Sequence, residues 1–557
     1  MSAECYPIAI LPHITALYRD YLAMPEGSAV RGWYGSEPFS GAWMHHPVRP
    51  AADPERLATA LHAECLEYGA SPQALANVEK LRHGARAVVT GQQVGLFGGP
   101  LLTLLKAATA IARAADATAA TGIDHVPVFW LATEDHDLAE VDQLHLLTKT
   151  AVETLTAGLR TPVPVPVGSV VLGPGIEPAL DRASELLGYA PVCDQLRAFY
   201  TPSATLGGAF ARLMAQLFAD QGLIVMDAAG RAFHALGAST LRAAIERAEE
   251  LEEALLARTH ELEHERYHAQ VLVKPGASLL FLLDETTGER LLIKRLPNGQ
   301  PDAQSDTQWK AGGKIYSTAD LLAILDTTPE RISPNALLRP VFQDTVLPTA
   351  AYIGGPAEIA YFAQSAVIYE RIFDARIFDP AGGSHTPGRI TPVLPRLTAT
   401  LIEPALAEVM ARHELTLPET LHPAEALAQR LGARAMPIEA KRKLAAVGNS
   451  LDAELSALTD YLAAMEPSLG RAANVSASKM HYQMNRLRRM AATFELQKQA
   501  SLRKHAEALT LNLFPDGHLQ ERLIGGVWFL ARYGDGLIDR LVAEAKSMCA
   551  GHVAIRL

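Results

Sequence analysis

Hydrophobic and polar positions along the chain predict a parallel α/β core. AVVT at 87–90 is a short β-branched run that ends at a glycine-rich turn, and 100–115 has the apolar spacing of a helix with Pro at its first position. The continuous apolar runs VPVFWLAT at 126–133 and LIVMDA at 223–228 are typical of strands covered on both faces. We therefore predict βαβ connections and a Rossmann-like sheet.

A second unit further along the chain repeats the layout of the first. TAAYI at 349–353 predicts a strand, GGP at 354–356 a turn, and 357–372 a helix. Gly-Gly-Pro also stands between strand and helix in the first unit, at 98–100. Both helices should then begin at the carboxyl edge of one sheet, where open α/β sheets bind ligands. This predicts a two-sided crevice.

The segments between these units do not follow the same pattern. Proline-rich stretches within 161–178 predict an insertion, while 231–268 is helical in pattern and 271–296 alternates like a β hairpin. The predicted division is 1–150, first part of the core; 151–200, first insertion; 201–230, core strand and helix; 231–330, second insertion; 331–396, core with the second Gly-Gly-Pro unit; 397–512, α-helical coiled-coil domain; and 513–557, C-terminal segment.

From about 397 the pattern is that of helices only. Apolar residues three and four apart predict two long helices joined near 466–470, an antiparallel hairpin about 45 Å long at ~1.5 Å per residue. They are Leu444, Val447, Leu451, Leu455, Leu458, Leu462 and Met465, then Met480, Met484, Leu487, Met490 and Phe494. This stripe either packs within the chain or forms a dimer interface.

Charge and cysteine spacing narrow the partners. The 557 residues carry a formal charge of -11 that is spread along the chain, which disfavours nucleic acid as a partner. The four cysteines lie far apart without a CxxC pair, so we expect neither a disulfide framework nor a cysteine zinc site, as in a reducing compartment. No basic leader and no run of 18 apolar residues occurs, so we expect a cytoplasmic protein without a membrane partner.

The glycine-rich turn of the first unit is a candidate binding loop. Its glycines permit close backbone approach, and the following helix N-terminus favours an anion. The pattern is neither a dinucleotide GxGxxG nor a phosphate-loop motif, so a purely structural turn remains an alternative. The candidate residues are Thr90, Gly91, Gln92, Gln93, Gly98, Gly99 and Thr103 for binding and Lys106 for catalysis.

Four ionisable residues follow the second predicted strand: Glu134, Asp135, His136 and Asp137. Charges at the end of an apolar strand are costly unless they face solvent, a cation or a substrate. His136 could act as a base, and the carboxylates could hold an amine or Mg²⁺. Alternatively, Asp135 or Asp137 caps the next helix.

The second unit supplies polar residues on its helix, its turn and the segment before its strand. An ordinary amphipathic helix with exposed polar residues is the alternative explanation. The candidate binding residues are Arg339, Gln343, Asp344, Gly354, Gly355, Glu358, Tyr361 and Gln364.

HELEH at 260–264 matches the HExxH zinc motif. Its surroundings are those of a highly charged, solvated helix, so we predict no zinc there. A metal-dependent hydrolase is nevertheless kept as an alternative function.

Several segments together resemble the BshC family, the cysteine ligases of bacillithiol biosynthesis. The matching segments are TGQQVGLFGGPLLTLLK at 90–106, PVFWLATEDHD at 127–137, the stretch 333–364, PVLPR at 392–396 and LFPDGHLQER at 513–522. The family motif usually has TGP followed by Tyr-Thr, whereas this chain has Gly98-Gly99-Pro100 and Leu102-Thr103, which puts an aromatic contact from position 102 in doubt.

The resemblance implies a Rossmann-like core with two insertions, a C-terminal antiparallel coiled coil and a homodimer. It also implies a ligase that adds L-cysteine to glucosaminyl malate. Forming that amide requires an activated carboxylate, so we expect ATP, with Mg²⁺, as the energy source. A dimeric scaffold that binds a nucleotide or thiol without turnover is the non-enzymatic alternative.

Overall fold

A five-stranded parallel sheet forms the centre of the molecule. The computed structural model describes residues 4–34, 36–296, 307–373, 390–534 and 536–557. In spatial order the strands of the central sheet are Val393–Pro395, Thr349–Gly354, Arg86–Gln92, His125–Leu131 and Ile224–Asp227. All neighbouring pairs are parallel, which confirms the predicted Rossmann-like core.

Alternation along His125–Leu131 explains why this run is apolar throughout. Val126, Val128 and Trp130 belong to one hydrophobic cluster, and Phe129 and Leu131 belong to another. Successive side chains of a strand point to opposite faces, so a sheet covered on both sides needs apolar residues at every position.

The helix of the first unit spans Leu102–Thr121 and lies against the sheet through a largely alanine-lined face. It begins two residues later than predicted, because Pro100 instead forms an isolated bridge with Gly525. The helix of the second unit, Pro356–Phe373, begins at the predicted turn. The other helices of the N-terminal part and the core are Ala16–Ala23, Pro54–Glu67, Pro72–Arg82, Leu138–Val141, Leu206–Leu217 and Arg339–Val346.

Both predicted insertions contain structure of their own. The first region has the helices Ile176–Leu186 and Pro191–Phe199 and the strand Val152–Leu155. This strand pairs antiparallel with Leu144–Leu147, which lies before the predicted boundary at 151. The second has the helices Arg231–Leu236, Ala238–Glu246, Ala248–His264 and Thr318–Thr327 and an antiparallel sheet of the strands Lys314–Ser317, Gln308–Ala311, Arg290–Arg295 and Ala277–Leu283. The fifth strand of this sheet, Ile332–Pro334, lies just after the predicted boundary at 330. The predicted ranges 231–330 and 331–396 include 297–306 and 374–389, which lie outside the described residues.

The expectation of helices only after 397 is wrong. Thr398–Ile402 and Gly551–Arg556 are parallel strands, and Glu4–Pro7 pairs antiparallel with the latter. These strands are short and lie far apart in sequence, so local periodicity does not reveal their pairing. The helices of this part are Pro404–Arg412, Leu417–Thr420, Ala424–Ala435, Ile438–Met465, Pro467–Lys498, Ala500–Leu513, Gln520–Leu523, Gly526–Tyr533 and Gly536–Lys546.

The predicted helical hairpin is present. Ile438–Met465 and Pro467–Lys498 have 28 and 32 residues and are joined at Glu466. Close packing occurs near the turn, where a Cβ on Gly470 would lie 2.6 Å from that of Ala463. Much of the predicted stripe nevertheless remains exposed, and Met490, for example, is 57% accessible.

A disulfide joins Cys5 to Cys549, which corrects the expectation of no disulfide. Their Cα atoms are 5.9 Å apart although 544 positions separate them in the sequence. The pairing of the first and last strands brings them together, and cysteine spacing cannot show such a contact. The argument from cysteine spacing for a reducing compartment therefore loses its support.

None of the helices in the described part of the chain is long and apolar enough to cross a membrane.

Candidate active site

A cleft of about 570 Å³ opens at the carboxyl edge of the parallel sheet. It lies between the two Gly-Gly-Pro units, whose strands Arg86–Gln92 and Thr349–Gly354 are direct neighbours. The predicted residues that line it are Gly91, Gln92, Gln93, Lys106, Asp135, Arg339, Gln343, Gly355, Glu358 and Tyr361. The volume is within the roughly 300–1,000 Å³ of small-molecule sites.

Two glycines of the first unit are required by geometry. Gly98 has φ +88°, and a Cβ at this position would also lie 3.1 Å from Leu213. A Cβ on Gly91 would lie 3.0 Å from the carbonyl oxygen of Trp130, in the wall of the cleft. The glycine pattern thus serves both a left-handed turn and a close backbone approach.

The protein itself uses several backbone groups at the two helix N-termini. The amide of Leu101 donates to the Ile524 carbonyl, so the C-terminal segment covers the start of the first helix. The amide of Gly355 donates to Oε2 of Glu358 at 2.7 Å. These helix ends therefore offer fewer free amides to an anion than the sequence pattern suggests.

Lys106 and Glu358 meet inside the cleft. Their Nζ and Oε2 atoms are 2.5 Å apart, and Nζ also donates to the Gly91 carbonyl at 2.6 Å and to Oε1 of Gln92 at 2.9 Å. All three ammonium hydrogens thus have acceptors. Burial lowers the pKa of Lys106, and Glu358 offsets part of this effect. Lys106 can contact a ligand only by exchanging one of these acceptors.

The four ionisable residues after the second core strand separate into different environments. Glu134 turns away from the cleft to His234, whose Nε2 lies 2.9 Å from Oε1 of Glu134. Burial favours the uncharged forms of both groups, but their mutual attraction outweighs it, lowering the pKa of Glu134 and raising that of His234. This is a buried ion pair that anchors the strand end to the helix Arg231–Leu236.

Asp135 alone among the four lines the cleft. Nε2 of Gln93 donates to Oδ2 of Asp135 at 3.1 Å and to Oε2 of Glu140 at 3.0 Å, so one amide connects two carboxylates. Burial raises the pKa of Asp135, but Arg339 and the bond from Gln93 outweigh this and hold it below its ordinary value. Asp135 is therefore ionised at neutral pH.

The remaining two have other contacts. Oδ1 of Asp137 accepts from the Glu140 amide at 3.2 Å and caps the helix Leu138–Val141, as the alternative for this cluster proposed. His136 lies against Arg290, with 3.3 Å between Nδ1 and Nη1. Neither belongs to the cleft lining.

Several other candidate residues are buried parts of the framework. Oγ1 of Thr90 donates to the Ile353 carbonyl at 2.9 Å, across the two core strands. The amide group of Gln364 pairs with the backbone of Val271 at 2.9 Å in both directions and so ties down the second insertion. Thr103 is fully buried and packs next to Gly99.

Asp344 is also enclosed away from the cleft. It accepts hydrogen bonds from Tyr369 at 2.6 Å and from Thr391. Burial raises its pKa to about 6. Gly354 packs against the helix that follows it, with its Cβ position 3.4 Å from that of Glu358.

Two arginines of the cleft were not among the residues predicted from the sequence. Arg396 is buried in an ion pair with Glu521, with 2.6 Å between Nη2 and Oε1. Arg522 also lines the cleft, and its side chain makes no hydrogen bond or ion pair with the described residues. Both stand at the ends of segments that carry the family resemblance, 392–396 and 513–522, which was the available indication.

The structure does not support a zinc site at 260–264. His264 is 86% exposed, and Glu261 accepts from Nε1 of Trp33 and pairs with Arg258 instead of facing a cavity. Across the described ranges, no group of three or more His, Cys, Asp or Glu side chains is placed to hold a metal.

A Rossmann-like sheet with a charged cleft at its carboxyl edge defines the class of the protein, an α/β protein whose cleft lies where open parallel sheets typically bind small molecules. Residues 1–375 match the family described as "Bacillithiol biosynthesis BshC, N-terminal Rossmann-like domain", and 399–557 match "Bacillithiol biosynthesis BshC, C-terminal coiled-coil domain". The chain belongs to the BshC family.

Full-length relatives agree with this assignment. A protein of Koribacter versatilis is 41% identical over 100% of both chains, and one of Solibacter usitatus is 34% identical over 99% of both. One of Salinibacter ruber is 32% identical over 100% of this chain and 98% of its own. Each of the three is named "Putative cysteine ligase BshC".

Proposed function

We propose that the protein is a ligase that joins the carboxyl group of L-cysteine to the amine of glucosaminyl malate. The observation that carries this proposal is the arrangement of charge in the cleft. Arg339 and Arg522 present guanidinium groups, while Asp135 and Glu140 present carboxylates. An acidic sugar derivative with an amine needs both signs in one site. Family membership supplies the reaction class.

The carboxylates are suited to hold and deprotonate the attacking amine. Asp135 is ionised and lies in the cleft, whereas His136 does not line it. We therefore assign proton removal to Asp135, with Gln93 fixing its orientation through the 3.1 Å bond.

We propose ATP as the source of the activated carboxylate, with Mg²⁺. The phosphoryl or adenylyl group that it supplies would turn the carboxyl oxygen into a leaving group. Arg339 and Arg522 are the cations available for phosphate charge, because the ammonium group of Lys106 is already bonded to the protein.

The test is to incubate the purified protein with L-cysteine and glucosaminyl malate, with and without ATP, and to measure the thiol product by mass spectrometry. Product only with ATP supports the full proposal. Equal product without any nucleotide would reject ATP activation. Substrate binding without product under any condition would favour the non-catalytic scaffold instead.

We also propose a cytoplasmic homodimer that associates through the helical hairpin. Leu458, Leu487, Met490 and Phe494 are between 51% and 57% exposed, which is unusual for apolar residues repeated along two helices. Light scattering after gel filtration should give twice the chain mass. Met490→Glu should give a monomer, and a wild-type monomer would contradict the proposal.

A further inference from the structure

A second, smaller cavity of about 190 Å³ adjoins the cleft on the side of the first Gly-Gly-Pro turn. The walls that the two cavities share are Gln92, Gln93, Pro100, Glu140 and Arg522. Gly99, Gln143 and His145 line the smaller cavity but not the cleft. The crevice thus has a large lobe and a small lobe that meet at a charged boundary.

The boundary carries one group of each sign. Arg522 forms no ion pair with the described residues. Burial lowers its pKa, the neighbouring Arg396 lowers it further, and the charge of Glu521 offsets part of this. The charge of an anion at this position would offset both the burial and the repulsion from Arg396. Among side chains of the described residues, Glu140 accepts a hydrogen bond only from the amide of Gln93, so its carboxylate can take a further hydrogen bond from an ammonium group.

Size separates the ligands that the lobes can take. The small lobe is below the roughly 300 Å³ at which ordinary small-molecule pockets begin, whereas the large lobe is well inside that range. A sugar derivative or a nucleotide therefore requires the large lobe. A free amino acid, with its ammonium and carboxylate groups close together, matches the small lobe in both size and charge.

We propose that the small lobe is the subsite for L-cysteine, an inference that rests on the proposed function. Arg522 binds the carboxylate at the boundary, Glu140 binds the ammonium group, and His145 lies in the remaining wall for the thiol side chain. Nδ1 of His145 is 2.9 Å from Oγ1 of Thr154, which leaves Nε2 for the substrate.

This placement has a chemical consequence. Because Arg522 lines both lobes, the carboxyl carbon faces the amine in the large lobe. The C–N bond forms at the boundary, the carboxyl oxygen departs with the group supplied by ATP, and the amine proton passes to Asp135. Glu140 meanwhile keeps the amino group of cysteine protonated. This amino group therefore does not replace the sugar amine as the nucleophile, and a second cysteine is not joined.

Two filling variants of the full-length protein test the assignment. Gln143→Trp adds bulk to the small lobe from an exposed position, and Ala357→Trp does the same in the large lobe. Equilibrium dialysis with labelled L-cysteine, kept reduced with a phosphine, and calorimetry with glucosaminyl malate measure each ligand separately. Gln143→Trp should weaken cysteine binding at least tenfold and leave glucosaminyl malate within twofold, and Ala357→Trp should do the opposite.

Other outcomes are equally decisive. Cysteine binding that survives Gln143→Trp, or that is lost in Ala357→Trp, overturns the subsite. If Gln143→Trp does not fold, Glu140→Gln takes its place, with the same expected loss of cysteine binding and the same overturning result. A wild-type protein that forms product but binds no cysteine alone also overturns the subsite, whereas one that binds neither substrate and forms no product overturns the proposed function.

Discussion

The buried pair of Lys106 and Glu358 gives the sharpest prediction about stability. Glu358→Gln keeps the shape of the side chain but leaves the ammonium group without its counter-charge. The side chain of Lys106 is 4% exposed, so water does not replace the lost carboxylate. Removing one partner of such a pair typically costs about 3–5 kcal/mol.

Deprotonation of Lys106 sets an upper limit on this cost. Lys106 can escape the penalty by losing its proton. At pH 7 this costs at most about 1.4 kcal/mol for each pH unit between 7 and the ordinary lysine pKa of 10.5, which amounts to roughly 5 kcal/mol. The Gly91 and Gln92 acceptors remain. We therefore expect a loss of about 3–4 kcal/mol in the free energy of unfolding at pH 7.

The pH dependence has a definite sign. A lysine whose pKa is lowered by folding binds fewer protons in the folded state than in the unfolded state, so stability rises with pH between the lowered and the ordinary pKa. Without Glu358 the pKa of Lys106 falls further and this window widens. The variant should therefore recover part of its lost stability between pH 7 and pH 10.

Urea unfolding followed by tryptophan fluorescence measures this, since Trp130 lines the cleft. Glu370→Gln on the same helix is the matched control, because Glu370 forms no ion pair with the described residues, and it should change stability by less than about 0.5 kcal/mol. If Glu358→Gln behaves like this control at every pH, the charged pair does not contribute as argued.

The remaining predictions concern separate groups. Arg522→Met should lower kcat/KM for cysteine about 10- to 100-fold, as expected for a lost charge-assisted hydrogen bond of roughly 1.5–3 kcal/mol. Arg503→Met on the helix Ala500–Leu513 should leave kcat/KM unchanged, because Arg503 does not line the cleft. Equal effects of the two substitutions would contradict a role of Arg522 in binding. His234→Leu should destabilise the folded protein by about 3–5 kcal/mol at pH 7 and by less at pH 5. Without its partner, the buried Glu134 has a raised pKa and takes up a proton more readily in acid. A loss of stability that is independent of pH in chemical denaturation would refute this. Asp137→Ala should cost about 1 kcal/mol through the lost helix cap, and a neutral result in thermal unfolding would show that the cap is dispensable.

The sequence by itself determined the elements whose periodicity is local. The strand runs near 87, 126, 223 and 349 and the two long helices are readable because each face of an element is encoded by residues only two to four positions apart. The cleft could be placed in the same way, since two strand-Gly-Gly-Pro-helix units in a parallel sheet bring their turns to one edge.

Only the tertiary structure decided which side chains share that cleft. Glu134 and Asp135 are neighbours in sequence, yet one is paired with His234 and the other faces the cleft. Arg522 reaches the site from a segment more than 400 positions after Gly91, just as the last strand brings Cys549 to Cys5. Such contacts depend on how whole elements pack, and no local pattern of residues encodes them.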